Sequence, residues 1–338
     1  MQLEDFTPAQ RVGQRLMIGF NGTKLDDRLR YCIDHLKVGG LILFSRNLVS
    51  PEQIARLCRT AQDYARHCGQ PPLFIGIDQE GGVVARLKPP FTQFPGAPSI
   101  QTEADAVHFA RVTAQELKSI GINMDMAPVL DVIPNAGESV MQKRSFGQNP
   151  GHVSRMGSII ITHLQDNGIL AVAKHFPGIG RTILDSHEDL PDLDTDSGAL
   201  SNRDLLPFKA AIETQVSGIM LSHIRYRAFD PQWPASLSPI IACDLLRNKM
   251  GFEGLALTDD LDMGAIANHY SPDDIVQQCL NASIDILLIC HESPKIDAFV
   301  DLIASEHQQI AQSTAKMDAS LNRILRVKQK YYGNEHPR

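Results

Sequence analysis

The sequence predicts an α/β chain folded as a single (β/α)8 barrel of the TIM type. Three observations carry this. Eight short apolar, β-rich runs recur along the 338 residues, a helical stretch or long loop follows each, and no Pro/Ser-rich linker interrupts the series. Continuous apolar runs suit parallel strands covered on both faces, because alternation appears only where one face meets water. Such strands joined by right-handed crossovers close into a barrel when eight are available. Length alone, at roughly 150 residues per domain, would also allow two domains. The unbroken series favours one, spanning 1–338 with a core of about 10–332. The rival is an open doubly wound sheet, but the loop after the first run reads GFNGTK and lacks the G-x-G-x-x-G phosphate turn.

The predicted strands are Leu16 to Phe20, Leu41 to Phe44, Leu73 to Asp78, Met124 to Asp131, Ile169 to Lys174, Gly218 to Ser222, Leu255 to Thr258 and Ile284 to Ile289. Between them lie helix signals. Thr7-Pro8, Ser50-Pro51 and Ser271-Pro272 pair a capping hydroxyl with a first-turn proline, and the helix after Ser50 stops at Gly69. Further helices are expected from Thr102 to Gly121, from about Pro150 to Gly168, from Asn202 to about Gln215, and from Pro239 to Gly251. A last amphipathic stretch runs from about Lys295 to Tyr332.

A formal charge of -7 and the absence of any Lys/Arg block argue against a nucleic-acid partner. The first twenty residues lack the apolar core of a signal peptide, and no run reaches membrane-spanning length. A cytoplasmic protein that does not bind membranes is therefore expected. Six scattered cysteines without a CxxC pair read as buried reduced thiols. The acids Asp192, Asp194 and Asp196 imitate a calcium loop but fail it. The glycine comes one place late, at Gly198, and Arg203 stands where the bidentate glutamate belongs. A solvated acidic turn is the expectation, with no metal and no cofactor.

Function is expected at the C-terminal ends of the strands, where barrel loops converge. Titratable groups do follow the apolar runs: Asp78 and Glu80 after the third, Asp131 after the fourth, Lys174-His175 after the fifth, His223 after the sixth, and Asp259-Asp260 after the seventh. Any one could be an ordinary strand cap, but five of eight ends carry them. The glycine-rich excursion from Lys174 to His187 is long and non-helical, the kind of loop that commonly carries function. Within it Asp185 and His187, two apart, could set a carboxylate against an imidazole nitrogen so that the ring acts as acid and base. Gly81-Gly82 could serve a tight turn or a close ligand approach.

The segments IDQEGGVVAR (77–86), KRSFG (143–147), KHFPGIGRTILDSH (174–187), PASLSP (234–239) and LTDDLDMGA (257–265) resemble the family-3 glycoside hydrolases. Within that family they resemble the single-domain β-N-acetylglucosaminidases of bacterial cell-wall recycling, over about Leu16 to Tyr332. The resemblance implies that Asp259 is the catalytic nucleophile, His187 the general acid/base, and Asp185 its partner. It also implies that Asp78, Arg86, Arg144, Lys174 and His175 bind the terminal N-acetylglucosamine. The implied protein is a monomer acting on N-acetylglucosamine-containing cell-wall fragments. Ile179 departs from the histidine common at that position, and the larger relatives take a glutamate acid from a second domain, which a chain ending at Arg338 is not expected to have.

Phosphorolysis is the alternative within this chemistry, since a histidine does not repel incoming phosphate as a carboxylate would. Two further rivals remain. A metal-dependent barrel hydrolase would draw ligands from His175, His187, His223 and Asp259, and Schiff-base chemistry would use Lys174. A non-catalytic sugar-binding protein is the last.

Overall fold

The computed structural model describes residues 2–134, 138–309 and 311–332. Eight parallel strands close into a barrel: β1 (Leu16–Ile18), β2 (Gly40–Leu43), β3 (Phe74–Ile77), β4 (Met124–Asp125), β5 (Leu170–Phe176), β6 (Gly218–Leu221), β7 (Leu255–Asp260) and β8 (Ile286–Ile289). Each pairs with its neighbours in sequence, and β1 closes the ring on β8 with Leu16 opposite Leu287. The predicted (β/α)8 architecture is thus the one observed.

Most strand ends shift from expectation by a residue or two, and three of the shifts bear on the site. The ladder of β4 stops at Asp125 instead of Asp131 because Pro128 has no N–H to donate. The segment still tracks β5 irregularly, through Val172 N to Ala127 O at 3.1 Å and Leu130 N to Lys174 O at 2.7 Å. Conversely, β5 runs on to Phe176 and β7 to Asp260, so His175 and Asp259 sit on strands and not beyond them, joining Lys174, which is expected on its strand. Backbone pairing, unlike an apolar run, is indifferent to side-chain charge.

The helices follow the cap signals closely. Pro8–Gly13 (α1) is capped by Thr7, Pro51–His67 (α2) by Ser50, Glu103–Ser119 (α3) by Thr102 and Pro272–Asn281 by Ser271. The helical segment expected to open at Asn202 begins earlier, at Ser197. Asp196 caps it by accepting from Ala199 N, and a π-wound turn, Leu200–Asp204, leads into Leu206–Glu213. The acidic turn is therefore not simply solvated: Asp192 also pairs with Arg225 and with Arg227 at 2.9 Å. The final stretch forms two helices, Lys295–Gln309 and Ala311–Tyr332.

Two apolar layers result. Val12, Leu29, Leu57, Ile160, Phe208 and Ile241 belong to the layer between strands and helices. A second cluster fills the lumen with Met17, Phe74, Met126, Val172, Met220 and Leu257. It is closed at the N-terminal end of the barrel by Leu321, Ile324 and Leu325 of the last helix. With one end sealed by this helix, the other end is left for chemistry. Among the described residues no helix is long and apolar enough to cross a membrane.

Candidate active site

The strand ends converge as the sequence leads one to expect. From β5, Lys174 reaches across the rim and is buried, with its side chain 3% exposed. Its ammonium lies 2.7 Å from Asp78 Oδ1 and 2.7 Å from Glu80 Oε1. Arg86 donates to the other oxygen of Asp78 at 3.2 Å. Arg144 grips Glu80 with two bonds, Nε to Oε2 at 2.9 Å and Nη2 to Oε1 at 2.7 Å, the fork geometry suited to a carboxylate. Four of the expected sugar-binding side chains therefore form one alternating chain of charge, Arg86–Asp78–Lys174–Glu80–Arg144.

Electrostatics maintain that charge. Burial by itself would push the Asp78 carboxyl up, but Lys174 and Arg86 outweigh it and hold the group well below the usual carboxylate range. Glu80 is lowered against the same opposition by Lys174 and Arg144. Burial would strip the proton from Lys174, yet Asp78 and Glu80 raise it above the ordinary lysine value. An ammonium held this way is a poor Schiff-base nucleophile, which removes the main physical support for that rival.

The fifth sugar-binding candidate, His175, joins the same network. Its Nδ1 lies 2.8 Å from Asp131 Oδ2. A carboxylate can only accept there, so Nδ1 carries the proton and Nε2 turns toward Arg144 Nη2, 3.4 Å away. Asp131 is itself held by the Ile179 amide at 2.8 Å. Ile179 buries its side chain while its backbone does this work, so the departure from histidine at that position leaves the anchor intact. Sequence marks Glu80 and Asp131 as strand-end acids but assigns neither a partner, because their partners lie on distant elements.

Asp259, near the end of β7, accepts from the Asp260 amide at 2.8 Å. Burial disfavours its charge, but the His175 and His223 imidazoles, the Asp260 amide and Lys174 together lower its carboxyl below the ordinary value. A half-buried carboxylate kept ionised is suited to act as a nucleophile. His223, fully buried beside it, spans Ser236 Oγ at 2.7 Å and the Asp260 carbonyl at 2.9 Å. The carbonyl must accept, so Nε2 carries a proton, and burial lowers the pKa of the ring against the pull of Asp259.

Asp185 and His187 are placed very differently. His187 Nδ1 lies 2.8 Å from Asp185 Oδ1, which also accepts the His187 amide at 2.9 Å. The carboxylate fixes Nδ1 as the donor and leaves Nε2 for another partner. The pair is open to solvent, with side chains 69% and 53% exposed. The loop before it is fastened to the barrel by Tyr226 Oη to Gly178 O at 2.9 Å and Ser139 Oγ to Gly180 O at 2.7 Å.

Gly81 and Gly82 adopt φ of +82° and +62°. A Cβ at Gly82 would lie 2.9 Å from Pro95 O, so these residues serve a turn packed on its own chain. Among the described residues, the one trio with metal-ligand spacing is Asp260, Asp262 and His291. Lys295 already neutralises Asp262 there at 2.6 Å. The set His175, His187, His223 and Asp259 does not form such a group among those residues.

Sequence and structural relatives fit this barrel. The model of the glycosyl hydrolase family 3 N terminal domain matches residues 8–327, so the chain belongs to that family of glycoside hydrolases. It is 36% identical to a β-hexosaminidase of Nitrosomonas eutropha, over 90% of this chain and 87% of that one. It is 33% identical to β-hexosaminidase A of Pseudoalteromonas piscicida, over 96% of this chain, but spans only 61% of that longer protein. A solved family-3 β-N-acetylglucosaminidase from Paenibacillus superposes with a TM-score of 0.94 at 36% identity, covering 98% of this chain and 64% of its own.

Proposed function

We propose that the protein is a retaining exo-β-N-acetylglucosaminidase that removes terminal N-acetylglucosamine from peptidoglycan fragments in the cytoplasm. The observation that carries the mechanism is the division of labour at the rim. Asp259 is a half-buried carboxylate kept ionised, whereas the Asp185–His187 pair is exposed and offers one free imidazole nitrogen. The β-hexosaminidase relatives support the sugar specificity.

In the first step Asp259 attacks the anomeric carbon as protonated His187 donates its Nε2 proton to the departing glycosidic oxygen. A glycosyl ester on Asp259 and the free aglycone result. Neutral His187 then takes a proton from water, which attacks the anomeric carbon and releases the carboxylate and the sugar with overall retention. Asp185 orients the ring in both steps and stabilises its charged form. Asp78, Arg86, Arg144, Lys174 and His175 hold the sugar, with the cations donating to its hydroxyl oxygens and the carboxylates accepting from them.

Turnover of an aryl β-N-acetylglucosaminide tests the assignment. Asp259→Ala is expected to lose activity by on the order of 10⁴-fold or more, and undiminished turnover would remove it as nucleophile. His187→Ala is expected to lose roughly 10²- to 10⁴-fold on aglycones that need protonation and much less on activated ones. Free N-acetylglucosamine released in phosphate buffer, instead of a sugar 1-phosphate, distinguishes hydrolysis from phosphorolysis. Release of the sugar from purified muropeptides tests the natural aglycone.

A further inference from the structure

The loop bearing Asp185 and His187 rests on the segment that leaves the nucleophile strand. The Gly264 amide donates to the His187 carbonyl at 3.2 Å, and the Ala265 amide to the Ser186 carbonyl at 3.1 Å. The contact is close enough to exclude a side chain. A Cβ on Gly264 would lie 2.5 Å from Glu188 O and 2.8 Å from His187 O. Both obstacles are backbone atoms of the loop, so no rotamer change clears them. Gly264 opens the short helix Gly264–Ala267 without a positive φ, and that conformation admits alanine readily. Sequence preference therefore gives no local reason for glycine here; the reason lies in the loop above it. A second tie links the same elements, a hydrogen bond between the Asp189 carboxylate and the His269 ring. Between the ties and the barrel anchors, Ile183 and Leu184 are exposed, so little else seats this part of the loop.

We propose that Gly264 is a positioning residue for proton transfer. Its missing side chain lets the Asp185–His187 loop seat on the exit of β7, and that seating sets His187 relative to Asp259. The inference rests on the acid/base reading of His187 given above.

The test compares kcat/KM on dinitrophenyl and methyl β-N-acetylglucosaminides for wild type, Gly264→Ala, His187→Ala and the double variant. Gly264→Ala is expected to lose about 10²-fold on the methyl glycoside, the scale of a misplacement near 1 Å, and under about 3-fold on the dinitrophenyl one. In the His187→Ala background the same change is expected to cost nothing further, because the displaced group is already gone. Thermal stability is expected to be retained. Equal losses on both substrates, or an undiminished loss in the His187→Ala background, would overturn the inference. If His187→Ala itself loses both substrates equally, the acid/base reading falls and the inference with it; if His187→Ala discriminates and Gly264→Ala does not, the inference alone falls. Asp189→Ala, which removes the second tie without adding bulk, covers the case of a misfolded Gly264→Ala. It is expected to give the same leaving-group pattern at smaller size, and a uniform loss would count against the inference.

Discussion

Two buried lysines at opposite ends of the barrel show how this fold separates chemistry from support. Lys174, at the C-terminal rim, lies between Asp78 and Glu80. Lys328, at the sealed end, meets no carboxylate among the described residues. Its ammonium donates to Gln14 Oε1 at 2.7 Å and Gly39 O at 3.0 Å, and sits 4.6 Å from the Phe74 ring centre. Both are almost wholly buried, yet Lys174 is raised above the ordinary lysine value while burial brings Lys328 down to about 7. Burial alone does not decide charge; the partners do. At the rim the partners keep a full ammonium, whereas at the sealed end neutral acceptors merely satisfy a side chain that packs.

The largest expected effect tests the rim. Lys174→Met leaves Asp78 and Glu80 facing each other with one cation fewer, and breaking a buried pair in this way costs roughly 3–5 kcal/mol. We expect kcat/KM on an aryl N-acetylglucosaminide to fall by about 10³-fold and thermal stability to drop clearly. Lys328→Met should leave kcat/KM within about 2-fold and shift stability at neutral pH by about 1–2 kcal/mol, the scale of two acceptors losing their donor. Comparable kinetic losses in the two variants would break the comparison.

A smaller effect sharpens it through pH. The folded value of Lys328 lies near 7, well below its usual 10.5, so the unfolded chain binds more protons between those values. Stability must therefore rise with pH across that window, by roughly 1.4 kcal/mol per unit at most, and the penalty is fully present below pH 7. Lys174 has the opposite sign. Its folded value is raised, so its contribution is intact below the ordinary lysine value and is lost as pH climbs through the raised one. Thermal unfolding of wild type and Lys328→Met from pH 7 to 9 is expected to show wild type gaining stability relative to the variant. Parallel profiles would mean that Lys328 stays charged when buried.

What the sequence makes legible follows the same physical division. Strands covered on both faces write themselves as apolar runs, and helices announce their caps, so the barrel can be read before it is seen. The Asp185–His187 pair is legible because its two members are neighbours in the chain. The bidentate Arg144–Glu80 pair joins positions 64 apart and depends on which strands lie side by side, which no local pattern records. Lys328 is hidden for another reason: in an amphipathic terminal helix a lysine reads as a solvent-facing residue, and only the closed lumen shows it turned inward. Asp196 reads as one acid in a polar turn until its acceptance of the Ala199 amide shows it to be a helix cap.

The central claim is that Asp259 forms the covalent link to the sugar. Intact-protein mass spectrometry after incubation with a slow fluorinated N-acetylglucosaminyl substrate measures this directly, with peptide mapping of any adduct. The expected result is a mass increase of one glycosyl unit, located on Asp259 and absent from Asp259→Ala. An adduct on another residue, or none under conditions where the activated leaving group is released, would contradict it.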